Sequence, residues 1–260
     1  MRKGITNSYF DALEDMVSVI KKVLANKPID FAYLFGSAAY GLMHKGSDID
    51  IAIYSSSPLP LDRLIEIEYE IEDIFNRPVQ IVFLDGILPL RFVKNILEFG
   101  KVVKDSQGRV AWEDKVKNAI KKAILESLKE KAGLIRENLD VVEYPNLNSI
   151  SKEELRRFIG GIVLVFAPIE SAVSKIASMK GKVDTFRKCI PLVSEELKLS
   201  FQAEQSLHKL LHIRNQLMHA YWHKLPSFNP KELKAALEEF ATKLENYVDE
   251  EARITEEPPS

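Results

Sequence analysis

Two short strings in this sequence hold residues whose types and spacing can do chemistry. In the first, LFGSAAYGLMHKGSDIDIAIY, Gly36-Ser37 is followed, after ten intervening residues, by Asp48-Ile49-Asp50. The flanking segments IDFAYLFGS and IDIAIY (49–54) read as buried strands. Side chains two residues apart on a strand share a face, so both carboxylates enter one space. Two convergent carboxylates are what hard Mg²⁺ needs when phosphate oxygens complete its shell. A Gly-Ser turn offers backbone N–H groups and a hydroxyl to a terminal phosphate. Separately, Asp-x-Asp usually marks a solvated strand entrance and Gly-Ser usually marks a turn. Their spacing, their strand context and Ser47 directly before Asp48 together describe a metal–nucleotide site.

The second string, QSLHKLLHIRNQLMHAYWHK, contains four of the five histidines. On a helical wheel Leu207, Leu210, Leu211 and Met218 form one stripe, with Arg214 and Tyr221 falling on it. An arginine within an apolar stripe is costly unless it is paired or meets an interface. His208, His212, Asn215 and His219 lie on a neighbouring strip. One at a time, these residues read as a snorkelling arginine and a solvated face. His208 and His212 share a face at i, i+4, but no carboxylate or cysteine at metal-ligand spacing accompanies them. No nucleophile-elbow motif supports Ser-His-Asp chemistry.

The elements that must position these residues differ between the two halves. Residues 1–110 alternate strand-like and helix-like segments: a helix to about Ala25, the two strands above, a helix over 61–75, a strand VQIVFL (79–84), a helix over 88–98 and an edge strand KVVKD (101–105). Residues 111–250 show only helical periodicity. A long helix is expected from Trp112 to Leu139, and a capping box, Ser151 with Glu154, opens a helix reaching Met179. Further helices cover 194–220 and 230–249, with Pro230 at a first helical position. The fold class is therefore α+β: an α/β unit on a small mixed sheet (1–110), a bundle of four or five helices (111–250), and an acidic frayed tail (251–260).

The composition bounds the class without selecting a substrate. The 260 residues carry a net charge of −2, so bulk electrostatics do not single out nucleic acid. One cysteine, Cys189, forms no intrachain disulfide and fits a reducing compartment. The amino-terminal stretch lacks a signal-peptide core, and no apolar run of about 18 residues is evident, so the expectation is a cytoplasmic protein without a membrane span.

The first string resembles the signature of the minimal nucleotidyltransferases of the polymerase-beta superfold, Gly-Ser, ten residues, Asp-x-Asp, over about residues 1–110. That resemblance implies Mg²⁺ on Asp48 and Asp50, and ATP held by Gly36, Ser37 and Ser47. The family places a third carboxylate on the following strand, where it helps bind the metal that activates the attacking hydroxyl. Here the matching position is Gln80, and Asp85 lies at an odd offset on the opposite strand face. A neutral amide ligates without charge, so metal binding at that position is weaker. The string Arg214 to Tyr221 is similar to the Arg, four residues, His, one residue, Tyr signature of HEPN ribonucleases of toxin–antitoxin systems, over about 111–250. It implies metal-independent RNA cleavage, with Arg214 stabilising phosphate charge and His219 moving protons, in a homodimer through the helical domain. In the related two-chain pairs (MntA-type and HepT-type) the transferase moves AMP from ATP onto the motif tyrosine, here Tyr221. A fusion of the two would regulate its own ribonuclease, because an adenylyl group beside Arg214 and His219 repels RNA phosphates. Two alternatives stay open: a small-molecule nucleotidyltransferase of the aminoglycoside type, and an impaired domain that binds nucleotide and masks the ribonuclease site.

Overall fold

The computed structural model describes residues 9–44, 46–86, 88–141, 151–219 and 229–256. The chain divides into two compact units, Met1–Ile120 and Lys121–Ser260, with the division inside one long helix. The change in periodicity near residue 110 thus falls earlier than the structural division.

In the first unit, helix α1 (Tyr9–Leu24) leads into strand β1 (Phe31–Phe35), the short helix α2 (Gly36–Tyr40) and strand β2 (Ile49–Tyr54). Helix α3 (Leu61–Phe75), strand β3 (Val79–Phe83), helix α4 (Leu90–Phe99) and strand β4 (Lys101–Lys104) follow. The sheet order is β3-β2-β1-β4, with β2 and β3 parallel and the other two pairs antiparallel. Because β1 is covered on both faces, its sequence is a continuous apolar run rather than an alternation. Ala32, Leu34, Ile51 and Ile53 point to the face that buries Leu24 of α1 and Ile67 and Ile71 of α3. Phe31, Tyr33 and Ala52 point to the other face, where Ile96 of α4 packs and Phe31 stacks on Tyr54 at 4.7 Å.

Side chains of α3 cover part of the β3 edge, and a side chain of β4 ties down the end of α1. On β3 the backbone N–H groups of Val79 and Ile81 donate to Glu72 Oε1 (2.9 Å) and Glu68 Oε1 (3.4 Å), one turn apart on α3. This removes donors that an unprotected edge would offer to another strand. On β4 the Lys104 ammonium donates to the carbonyls of Leu24 and Lys27, both at 2.7 Å, and so caps α1. Burial pulls the Lys104 pKa below its usual value.

Helix α5 (Gly108–Glu137) begins four residues before the expected Trp112. The opening turns of α5 belong to the first unit: Trp112 packs on Phe31 at 5.3 Å, and Glu113 accepts from the Tyr33 hydroxyl at 2.6 Å.

In the second unit the rest of α5 joins helices α6 (Lys152–Met179), α7 (Phe186–Leu197), α8 (Phe201–Met218) and α9 (Pro230–Glu256). Leu128, Ile135, Ile162, Val165, Ile169, Ile190, Leu210 and Phe240 share one core. The capping box forms as the sequence suggests: Glu154 N–H donates to Ser151 Oγ (3.1 Å) and Ser151 N–H donates to Glu154 Oε2 (2.8 Å).

Three expectations need correction. The segment 194–220 is not one helix: Lys198 adopts φ 53°, and Ser200 caps α8 by accepting from Ala203 N–H at 3.1 Å. Glu239 of α9 fixes that cap by accepting from both the N–H and hydroxyl of Ser200. The acidic stretch from Glu250 does not fray at its start, since α9 continues to Glu256 and Glu251 pairs with Lys121 at 2.7 Å. Finally, α6 is long and apolar enough to cross a membrane by length and composition. Half of that stretch is buried inside the helical unit, as in the core helix of a bundle.

Candidate active site

The first string is built at the carboxyl end of β1 and the start of β2. Gly36 follows β1 with φ +67°, a conformation that L side chains rarely adopt. It also touches Asp50: a Cβ on Gly36 would lie 2.0 Å from Asp50 Oδ2. Two constraints, backbone and steric, therefore demand glycine here. Ser37, the second residue of α2, is half-buried, and its carbonyl accepts from the N–H groups of Gly41 and Leu42, closing the helix.

Asp50 is the second residue of β2 and sits opposite Phe35, while Asp48 directly precedes the strand. Asp48 is exposed and Asp50 half-buried. Burial, and then the charge of Asp48, push the Asp50 pKa above its ordinary value. The two carboxylates thus repel each other in a partly dry setting, a repulsion that a cation placed between them would relieve.

Register identifies the third position. Asp50 pairs with Gln80 in the parallel β2–β3 ladder, so Gln80 lies on the same face beside it. Asp85 lies beyond the end of β3, in the turn that follows. Among the described residues no three His, Cys, Asp or Glu side chains cluster as metal ligands. The donor set is two carboxylates with a neutral amide beside them, and it fits Mg²⁺ when phosphate oxygens supply the remaining ligands.

Ser47 is placed differently from what its position in the string suggests. It is buried, and its hydroxyl accepts from His44 N–H at 3.0 Å, so it holds the loop that aims Asp48. A residue that sequence reasoning missed completes this loop. Arg77, just before β3, donates to the carbonyls of His44 (2.9 Å) and Ser47 (3.1 Å). Nothing in the sequence marks Arg77, because its partners are backbone atoms about thirty residues away in the chain.

In the helical unit Arg214 lies in the last turns of α8, half-buried, with its guanidinium 5.3 Å from the centroid of the Phe166 ring on α6 and donating to Asn215 Oδ1 at 3.0 Å. This resolves the cost of an arginine on an apolar stripe, since a ring face accepts a cation. Leu207, Leu210 and Leu211 are core residues as expected, whereas Met218 is 58% exposed. His208 is half-buried and His212 exposed. His219 is exposed at the end of α8, where its N–H caps the Asn215 carbonyl at 3.2 Å. Tyr221 lies outside the described residues.

Residues 18–109 match the family model for polymerase beta, nucleotidyltransferase, so this part of the chain is a nucleotidyltransferase domain. Among solved structures the chain is similar to a toxin–antitoxin crystallised with AMP-PNP (25% identity, 36% of this chain, 77% of that chain, TM-score 0.32). It is also similar to the tri-AMPylated Shewanella oneidensis HEPN toxin in complex with MNT antitoxin (20% identity, 44% of this chain, 96% of that chain, TM-score 0.31). No curated protein matches the sequence.

Proposed function

We propose that this chain is a cytoplasmic, self-regulating ribonuclease in which the nucleotidyltransferase domain transfers AMP from ATP to Tyr221 of a HEPN-type helical domain. The observation that carries the transferase half is the packing of the Asp50 carboxylate against Gly36, beside Asp48. Asp48 and Asp50 would hold Mg²⁺, which supplies charge to the phosphates and activates the α-phosphorus. Gly36 and Ser37 border the phosphates. In the transfer the acceptor hydroxyl oxygen bonds to the α-phosphorus, the bond to the bridging oxygen breaks, pyrophosphate leaves and the hydroxyl proton passes to solvent.

For the ribonuclease half, the support is the Arg214–His219–Tyr221 spacing and the seating of Arg214 on Phe166. Arg214 would stabilise charge on the scissile RNA phosphate and His219 would move the proton of the attacking 2′-hydroxyl. Val163 and Leu164, on the same helix as Phe166, are 42% and 53% exposed, which suits a homodimer contact near this motif. AMP on Tyr221 would place a negative phosphodiester where RNA must bind.

Intact and peptide mass spectrometry, before and after incubation with Mg²⁺-ATP, tests this reading. The expected result is a gain of one or more AMP masses on the Tyr221 peptide, absent in Asp48→Asn/Asp50→Asn. RNA cleavage should be lost in Arg214→Ala and His219→Ala. The register of Gln80 beside Asp50 favours a second reading, a domain that binds nucleotide without transferring it. ATP binding with no added AMP would select that one.

A further inference from the structure

A cavity of about 190 Å³ opens between α2 and α4, with Gly36 in its wall. Phe92, Asn95 and Phe99 recur at i, i+3 and i+7, so they share one face of α4 and line it. Phe35, Gly36 and Tyr40 line the facing wall. The rings form two contacts, Phe35 edge-on to Phe92 at 5.4 Å and Tyr40 tilted on Phe99 at 4.9 Å. Tyr40 and Phe99 are 43% and 45% exposed, an aromatic pair left at the mouth rather than folded into the core.

The location is specific. Phe35 is the cross-strand partner of Asp50, so the two side chains project from the same sheet face as immediate neighbours. Gly36 borders the cavity and also touches the Asp50 carboxylate. No charged residue lines the cavity, so it offers a phosphate no cationic side chain. It is also smaller than the pockets that enclose whole drug-sized ligands. What fits is one flat, neutral ring system that stacks on aromatic faces and meets an amide able both to donate and to accept, which Asn95 provides.

We infer that the cavity between α2 and α4 is the nucleobase subsite for the nucleotide whose phosphates meet Asp48 and Asp50. The inference rests on the nucleotide reading proposed above and adds to it the residues that tell a nucleotide from bare polyphosphate. Tyr40 and Phe99 stack on the base, Phe35 and Phe92 form the inner wall, and Asn95 bonds the ring edge.

Isothermal titration of the full chain with Mg²⁺-ATP and with Mg²⁺ and inorganic triphosphate tests it. Loss of one stacking ring is expected to weaken ATP binding about tenfold in Phe99→Ala and in Tyr40→Ala, with triphosphate affinity unchanged. Phe99→Trp should hold ATP as the wild type does. Both side chains are half-exposed, so circular dichroism should show the variants folded. Unchanged ATP affinity in both alanine variants, or equal losses for ATP and triphosphate, would overturn the subsite while leaving the nucleotide reading in place. Variants that keep ATP affinity but lose AMP transfer would assign the cavity to the acceptor tyrosine instead, also overturning it. A wild-type chain that binds neither probe would overturn the nucleotide reading itself, and this subsite with it.

Discussion

Gly36→Ala separates the two roles of that glycine, and the structure supplies its own control. At Gly36 a methyl group meets φ +67° and an Asp50 oxygen at 2.0 Å, with Asp50 Cγ at 2.9 Å. Holding an L residue in the left-handed region costs about 1–2 kcal/mol. Relieving the overlap forces the Asp50 side chain off its rotamer, for about 0.5–1.5 kcal/mol more. A loss of about 2–3 kcal/mol follows, or about 10 °C in the melting of the first unit at roughly 4 °C per kcal/mol. Gly181, in the second unit, has φ +72° with nothing within 4 Å of a built Cβ, so Gly181→Ala should show only the backbone cost, about 4–8 °C in the melting of that unit. The functional readout diverges further. Displacing Asp50 by the ångström or so that the methyl demands should lower AMP transfer about a hundredfold and weaken Mg²⁺-ATP binding, whereas Gly181→Ala leaves both alone. Scanning calorimetry and titration with Mg²⁺-ATP read the two effects. Equal melting shifts in the two variants, with nucleotide binding retained in Gly36→Ala, would refute the claim that Asp50 is seated against Gly36.

The raised pKa of Asp50 means that the native state retains a proton there that the unfolded chain gives up, so ionisation above its ordinary value of 3.8 costs stability at neutral pH. Asp48→Asn should therefore raise the metal-free melting temperature slightly at pH 7, lose that advantage at acid pH where Asp50 is protonated, and abolish Mg²⁺-dependent ATP binding, all readable in one set of melts with and without Mg²⁺-ATP. Wild-type Mg²⁺ affinity should begin to fall at a higher pH than an ordinary carboxylate site would, measured by titration across acid pH. Arg77→Ala frees the carbonyls of His44 and Ser47, loosening the loop before Asp48, and should weaken Mg²⁺-ATP binding about tenfold with little change in the melting of the helical unit. Gln80→Glu adds a third carboxylate in register with Asp50 and should raise the rate of AMP transfer at limiting Mg²⁺, measured by radiolabelled ATP; an unchanged rate would show that position 80 does not reach the metal.

The amino-acid sequence by itself determined the parts whose signals are local. The four strands follow from short apolar runs, α3 and α4 from helical spacing, the start of α6 from the Ser151–Glu154 box, and the candidate site proposed here from Gly36-Ser37 and Asp48-x-Asp50. Each is a pattern of neighbours along the chain, so it is legible before folding. The break between α7 and α8 was not, because Ser200 works as a cap through Glu239, a residue on another helix. Nor was the persistence of α9 past Glu250, where Glu251 pairs with Lys121 of α5. Gln80 was suggested by counting, but only the β2–β3 register sets it beside Asp50. The exclusion of any side chain at position 36, the clamp of Arg77 on two carbonyls and the aromatic cavity beside Asp50 were decided by tertiary structure alone. Each depends on atoms from segments far apart in the chain meeting at a distance of a few ångströms, and spacing along a sequence does not encode such distances.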